Sequence, residues 1–191
     1  MKNMLITTLG SVAAAALLAI SMPGHAQSAF TLKSADVPDG GSIAQQFAFN
    51  GFGCTGQNVS PSLEWSNPPA GTKSLALMVH DPDAQTGGAG FWHWVVTDIP
   101  AHVTSLARGA GASDGTRLPE AAKQVATDFG MPGWGGPCPP VGDKPHRYVF
   151  TLYALKVDKL PVPAQPTASL AGFMVNANTI AKAVFTATYG R

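Results

Sequence analysis

The sequence predicts an all-β domain, a sandwich of two antiparallel sheets with a short helix near its C-terminus. Three observations carry that prediction. Short apolar segments rich in β-branched and aromatic residues recur along the chain. Turn-forming clusters separate them, and 16 prolines and 21 glycines in 191 residues suit a loop-rich domain rather than long helices. Sustained helical periodicity is confined to one segment.

The elements follow in order. A strand is expected at residues 30–33, and PDGGS separates it from a second at 45–49. A third is expected at 62–65. After SNPPAGTK comes the apolar run 74–80, and PDAQTGGAG joins it to a strand at 92–98. GGPCPPVGDKP leads into the strongly apolar strand 146–155, and a last strand is expected at 181–189. The helix is expected in TASLAGFMVNAN, where Leu170, Phe173, Met174 and Ala177 follow a helical spacing.

The chain opens with Lys2, an apolar run from Leu5 to Ile20, then Ser21, Pro23 and a small-residue site ending at Ala26. That is the layout of a secretory signal peptide over residues 1–26, with Gly24 and Ala26 at the −3 and −1 positions of cleavage. The run is shorter than the roughly 20 residues of a membrane span, and no basic cluster follows it. Residues 30–191 are then expected as a single domain, periplasmic or secreted, with no transmembrane segment after cleavage. Losing Lys2 takes one from the 12 basic residues and balances them against the 11 acidic ones. No Lys/Arg run exists to track a phosphate backbone, so nucleic acid is not an expected partner. Cys54 and Cys138, an even pair in an exported chain, are expected to form a structural disulfide.

DFG at residues 128–130 echoes the magnesium-binding tripeptide of protein kinases, but no phosphate loop, strand lysine or catalytic loop accompanies it. It is read as coincidence. Chemistry is expected elsewhere. In SLALMVHDPDA an apolar strand runs into Asp81 and Asp83, whose spacing puts both carboxylates on one side of an extended chain. The next strand begins FWHWVV, and strict alternation groups His93 with Val95 and Thr97, opposite Trp92, Trp94 and Val96. A second segment has the same grammar: a Gly/Pro loop and then His146 at the mouth of a strand that shares one face among His146, Tyr148, Phe150 and Leu152.

If both mouths meet, the site holds Asp81, Asp83, His93, His146 and Tyr148. Three chemistries suit that set: a metal site, metal-free acid–base catalysis, or a pocket in which the aspartates orient histidines and the donors bind an oxyanion. His-x-x-His pairs and a Gly-x-Ser-x-Gly turn are both absent. An anion pocket and a metal site are left nearly equal by the residues themselves.

Together SPSLEW, DPDA, WHWVV, GWGGPCPP and HRYVFTLYAL, in that order, resemble the phosphatidylethanolamine-binding protein family, in its bacterial Raf-kinase-inhibitor-like branch. The resemblance implies a single β-sandwich with a small pocket for phosphate and phosphoryl head groups. It implies a pocket of Asp81, Asp83, His93, His146 and Tyr148, with Gly136 and Pro140 in its wall. It also implies a non-enzymatic binding or inhibitory role, no cofactor and no obligatory metal. A protein partner is implied without being named, and a metal-dependent hydrolase on the same residues is the alternative. Two departures stand out. Gln85 replaces the proline usual after DPDA, leaving that loop less stiff, and Trp134 stands where a tyrosine is usual. Histidines beside carboxylates are expected to charge in mild acid and so to tighten anion binding there.

Overall fold

The two longest apolar runs form the centre of the fold. In the computed structural model, which describes residues 28–191, they are adjacent antiparallel strands buried on both faces. The expected signal peptide lies outside the described residues. The strands, in chain order, are β1 (Thr31–Lys33), β2 (Asn50–Gly51), β3 (Cys54–Thr55), β4 (Leu63–Ser66), β5 (Ser74–Asp81) and β6 (Phe91–Pro100). Then come β7 (Ser105–Leu106), β8 (Lys123–Gln124), β9 (His146–Leu155), the helix α1 (Ala168–Asn178) and β10 (Thr179–Tyr189).

A five-stranded antiparallel sheet has the order β10-β9-β5-β6-β8, and a three-stranded one the order β1-β4-β7. Between them lies the main core, where Leu32, Leu63 and Trp65 meet Leu77, Val79, Trp94, Phe150 and Phe185. The second face of the large sheet is covered by α1, with Met78, Val95 and Leu155 against Ala171 and Val175. Coverage on both sides explains why β5 reads as an uninterrupted apolar run rather than an alternating one. Among the described residues, no helix is long and apolar enough to cross a membrane.

Two expectations need correction. Residues 45–49 are not a strand: Gln45–Phe47 is a single 3-10 turn. Its carbonyls serve side chains and loops instead of a ladder. The Phe47 oxygen accepts from Trp134 Nε1 at 2.9 Å, and the Ala48 oxygen accepts from the Asn58 amide. The helix forms where expected, capped by Thr167, whose hydroxyl accepts from the Leu170 amide. Its inward face, however, is the small-residue one, Ala168, Ala171, Gly172 and Val175, while Leu170 and Phe173 face solvent. Small residues let the helix lie close to the sheet: a Cβ on Gly172 would stand 3.2 Å from Met78 Cε. The two-residue strands β2, β3, β7 and β8 lie outside the expected elements, being too short to show a period.

Candidate functional site

The site begins where β5 ends. Asp81 is 3% exposed, and Pro82 bends the chain away after it. Its Oδ1 accepts the backbone N–H groups of Asp83 (2.8 Å) and Ala84 (3.0 Å), an Asx turn that reverses the chain. Its Oδ2 accepts from His146 Nδ1 at 2.7 Å. Asp81 thus fixes the ring of His146, whose Nε2 lies 3.5 Å from Asp143 Oδ2. The turn sends Asp83 elsewhere. Its carboxylate takes Nε (2.9 Å) and Nη2 (2.6 Å) of Arg147, plus the Arg147 amide. That guanidinium, more than anything else, holds the Asp83 carboxyl at about 2 against the opposing effect of burial. Asp83 lines a shallow groove beside the pocket with Lys144 and Arg147.

The returning loop needs glycine at Gly90. Its φ is +69°, and a Cβ there would overlap the His80 ring at 2.4 Å. The strand it feeds, β6, departs from strict alternation. Val79 pairs with Trp94 and His80 with Trp92, so His93 is an extra residue, a β-bulge. Trp92 therefore packs toward α1 with Val95, while Trp94 faces the core with Val96. His93 turns to the same side as Trp94, edge-on to Tyr148 with ring centroids 5.0 Å apart. Grouping His93 with Val95 on one face was incorrect, because the bulge shifts the phase of the strand.

No aspartate bonds to His93. Its Nδ1 lies 2.6 Å from the Gly135 carbonyl oxygen, which can only accept, so the ring proton sits on Nδ1. Burial dominates and pushes the imidazole down to about 4, outweighing the Gly135 bond and the Asp81 charge. Across neutral and mildly acid pH, His93 is a neutral ring with a bare Nε2. The expectation that neighbouring carboxylates charge it in mild acid is overturned by that burial. Tyr148, on β9, is fully buried. Burial, then the Asp81 charge, raise its pKa, yet no hydrogen bond of acceptable geometry closes between them. Among the described residues, the Tyr148 hydroxyl is the one buried side-chain polar atom without a partner.

These groups line a cavity of about 270 Å³. Asp81, His93, Pro140, His146 and Tyr148 are brought together in it. Asp83 and Gly136 are not among its lining residues. Gly136 sits behind the wall, its amide bonded to Asn58 Oδ1, and a Cβ on it would fall 2.1 Å from the Phe47 oxygen. Apart from Gln85, the rest of the lining is apolar, with Phe52, Phe91, Phe129 and Pro139 its largest groups. Phe129 belongs to the DFG tripeptide, and Asp128 beside it accepts the Trp92 amide at 2.8 Å. The tripeptide is structural here, and sequence reasoning passed over its phenylalanine. Trp134 points into the core, so the family-typical hydroxyl has no counterpart at that position.

Two clips hold the apolar wall to the loop carrying Phe52. The expected disulfide is present between Cys54 and Cys138, 84 residues apart. The Arg191 guanidinium adds a second clip, donating to the carbonyls of Pro139 (2.6 Å), Gly53 (3.0 Å) and Phe52 (3.3 Å). Nothing local in the sequence marks Arg191 for this, because its contacts are made across 52 to 139 residues of chain. At the mouth, Gln85 Nε2 donates to Asp143 Oδ2 at 3.3 Å, a tether where a proline would have none to offer. A larger hollow of about 490 Å³ beside β8 holds Asp98, Asp114, Lys123 and Lys159. Volume favours it, but it has no buried unpartnered polar atom, so the smaller cavity is the stronger candidate. Among the described residues no cluster of three or more His, Cys, Asp or Glu side chains is arranged to hold a metal ion.

A β-sandwich with a small, half-apolar pocket at the mouths of its central strands defines a class of ligand-binding module. The chain belongs to the phosphatidylethanolamine-binding protein family, whose model matches residues 33–190. YbcL of Escherichia coli is 47% identical over 189 residues, 99% of this chain and 98% of its own. Its crystal structure, described as that of a new member of the mammalian family, superposes with a TM-score of 0.82 over 85% of this chain and 98% of that one. YbhB of the same organism is 41% identical over 83% of this chain and 98% of its own length. LppC of Mycobacterium tuberculosis, named as a candidate lipoprotein, is 42% identical over 71% of this chain and 60% of its own.

Proposed function

We propose that this chain is an exported, non-catalytic binding protein whose end pocket takes a phosphate or phosphoryl group, and that it regulates or inhibits a partner protein. One observation carries the ligand reading: the Tyr148 hydroxyl is buried in the cavity lining with no protein partner. A buried hydroxyl left unbonded costs roughly 1–3 kcal/mol, which a ligand oxygen would recover. His146 adds a second polar atom, and the aromatic wall suits an apolar substituent on the phosphoryl group. Members of this family are in general non-enzymatic binding proteins, which favours binding over turnover. Export is supported by the signal-peptide layout, by the disulfide, and by kinship with a candidate lipoprotein.

Native mass spectrometry on protein purified without chelator, followed by calorimetric titration with inorganic phosphate, tests the reading. A phosphate adduct and saturable binding that Tyr148→Phe weakens are expected. Stoichiometric zinc, manganese or iron together with phosphoesterase activity would instead establish the hydrolase alternative.

A further inference from the structure

Hydrogen-bond polarity inside the pocket narrows the ligand further. Three groups set it. His93 has its proton committed to the Gly135 carbonyl, so its free Nε2 can only accept. Tyr148 has a free O–H. Asp81 puts a carboxylate in the lining, its oxygens accepting from two backbone amides and paired with His146 Nδ1.

No lysine or arginine lines the cavity. Arg147, the nearest candidate in sequence, is paired with Asp83 outside it. A doubly charged phosphate would meet a carboxylate and a lone pair there, with no lysine or arginine to offset them. A phosphodiester carries one charge but no proton, and would leave His93 Nε2 buried against an oxygen lone pair. A primary ammonium could donate to His93, but it has no acceptor for the Tyr148 proton.

Resting on the phosphoryl-binding reading above, we infer that the pocket selects the singly protonated form of a phosphomonoester. The P–OH donates to His93 Nε2, and an anionic oxygen accepts from the Tyr148 hydroxyl. The ligand, rather than His93, then carries the proton that makes binding favourable in mild acid.

Other titratable or charged groups face this position and must be separated from the ligand's own ionisation. They are His80 and Asp81 from β5, Asp128 from the loop behind Phe129, and His146 and Tyr148 from β9, with Asp143 beyond His146. A diester of the same shape experiences all of them but has no second proton to lose. It is therefore the internal control.

The test is calorimetric titration of the full mature chain at about pH 5 and about pH 8 with phenyl phosphate, methyl phenyl phosphate and ethanolamine. With a second phosphate pKa of about 6, the monoester's affinity relative to the diester's is expected to fall roughly 90-fold between the two. At the lower pH the diester is expected to bind at least about ten-fold more weakly than the monoester. Equal binding of monoester and diester there, tighter monoester binding at the higher pH, or a preference for ethanolamine would overturn the inference while leaving a ligand pocket in place. Failure of every phosphate probe to bind would instead overturn the function proposed above, and this inference with it. Phosphatidylcholine vesicles with and without phosphatidic acid distinguish a lipid monoester from a soluble one. Retention on the phosphatidic acid vesicles alone, or binding of the soluble monoester alone, each supports the inference and names the source.

Discussion

Asp81 and Asp83 stand two residues apart and end in opposite environments. Asp81 is buried, saturated by two amides and His146, and forms part of an inner ring with His93 and Tyr148. Asp83 joins an outer ring, bonded to an exposed Arg147 in a shallow groove. The difference comes from one Asx turn, which ends the extended geometry between them. In the inner ring named partners hold the Asp81 carboxylate and His93 Nδ1, while the buried Tyr148 hydroxyl and His93 Nε2 are left for a ligand. The outer ring is solvated, and its charges are largely spent on one another.

Replacement of the inner carboxylate is the most severe way to sharpen this contrast. Asp81→Ala leaves two amides and a histidine N–H without their acceptor, and a loss of about 3–4 kcal/mol in denaturant unfolding is expected, with phosphate binding abolished. Acid should act next. His93 has a folded pKa of about 4, below its unfolded value of 6.5, because burial disfavours the charged ring. Its contribution is therefore complete above about pH 6.5 and is lost as the pH falls toward 4, a change on the order of 3 kcal/mol. His93→Gln should flatten that part of the stability-against-pH curve, and an unchanged slope would remove His93 as its source.

The outer ring should respond weakly. Asp83→Ala is expected to cost about 1 kcal/mol or less and to leave phosphate affinity within two-fold or so. Its carboxyl, held at about 2, contributes stability above about pH 4 that disappears only as the pH drops toward 2. A large loss of phosphate affinity in Asp83→Ala would erase the distinction between the rings. The smallest stability effect is expected for Tyr148→Phe, since the hydroxyl has no protein partner to lose. Unfolding midpoints should match the parent protein or slightly exceed it, while ligand affinity falls.

Much of this arrangement can be read from the sequence, in proportion to how local its causes are. The strand at residues 146–155 and its alternating inward face come from a period that the chain carries itself, and the helix bounds follow from Thr167 and the spacing after it. The family resemblance supplied the pocket's location, which periodicity alone did not. What stayed hidden depends on pairing between distant segments. The bulge at His93 exists only in the register of β6 against β5, and it decides which way the histidine turns. The inward face of α1 is set by how closely Gly172 lets it approach Met78, so the larger Leu170 and Phe173 are left outside. Arg191 reaches the Phe52 and Pro139 carbonyls of the pocket wall from the far end of the sequence, and Phe129 sits in a tripeptide that looked like a misplaced motif.

The most direct test of a neutral, preorganised inner ring is the nitrogen-15 spectrum of the His93 side chain, recorded from about pH 5 to pH 8 with and without phenyl phosphate. A neutral ring protonated on Nδ1 throughout is predicted, with the Nε2 resonance shifting when the ligand binds. A ring that becomes imidazolium near pH 6, or an Nε2 signal indifferent to bound ligand, would contradict the account.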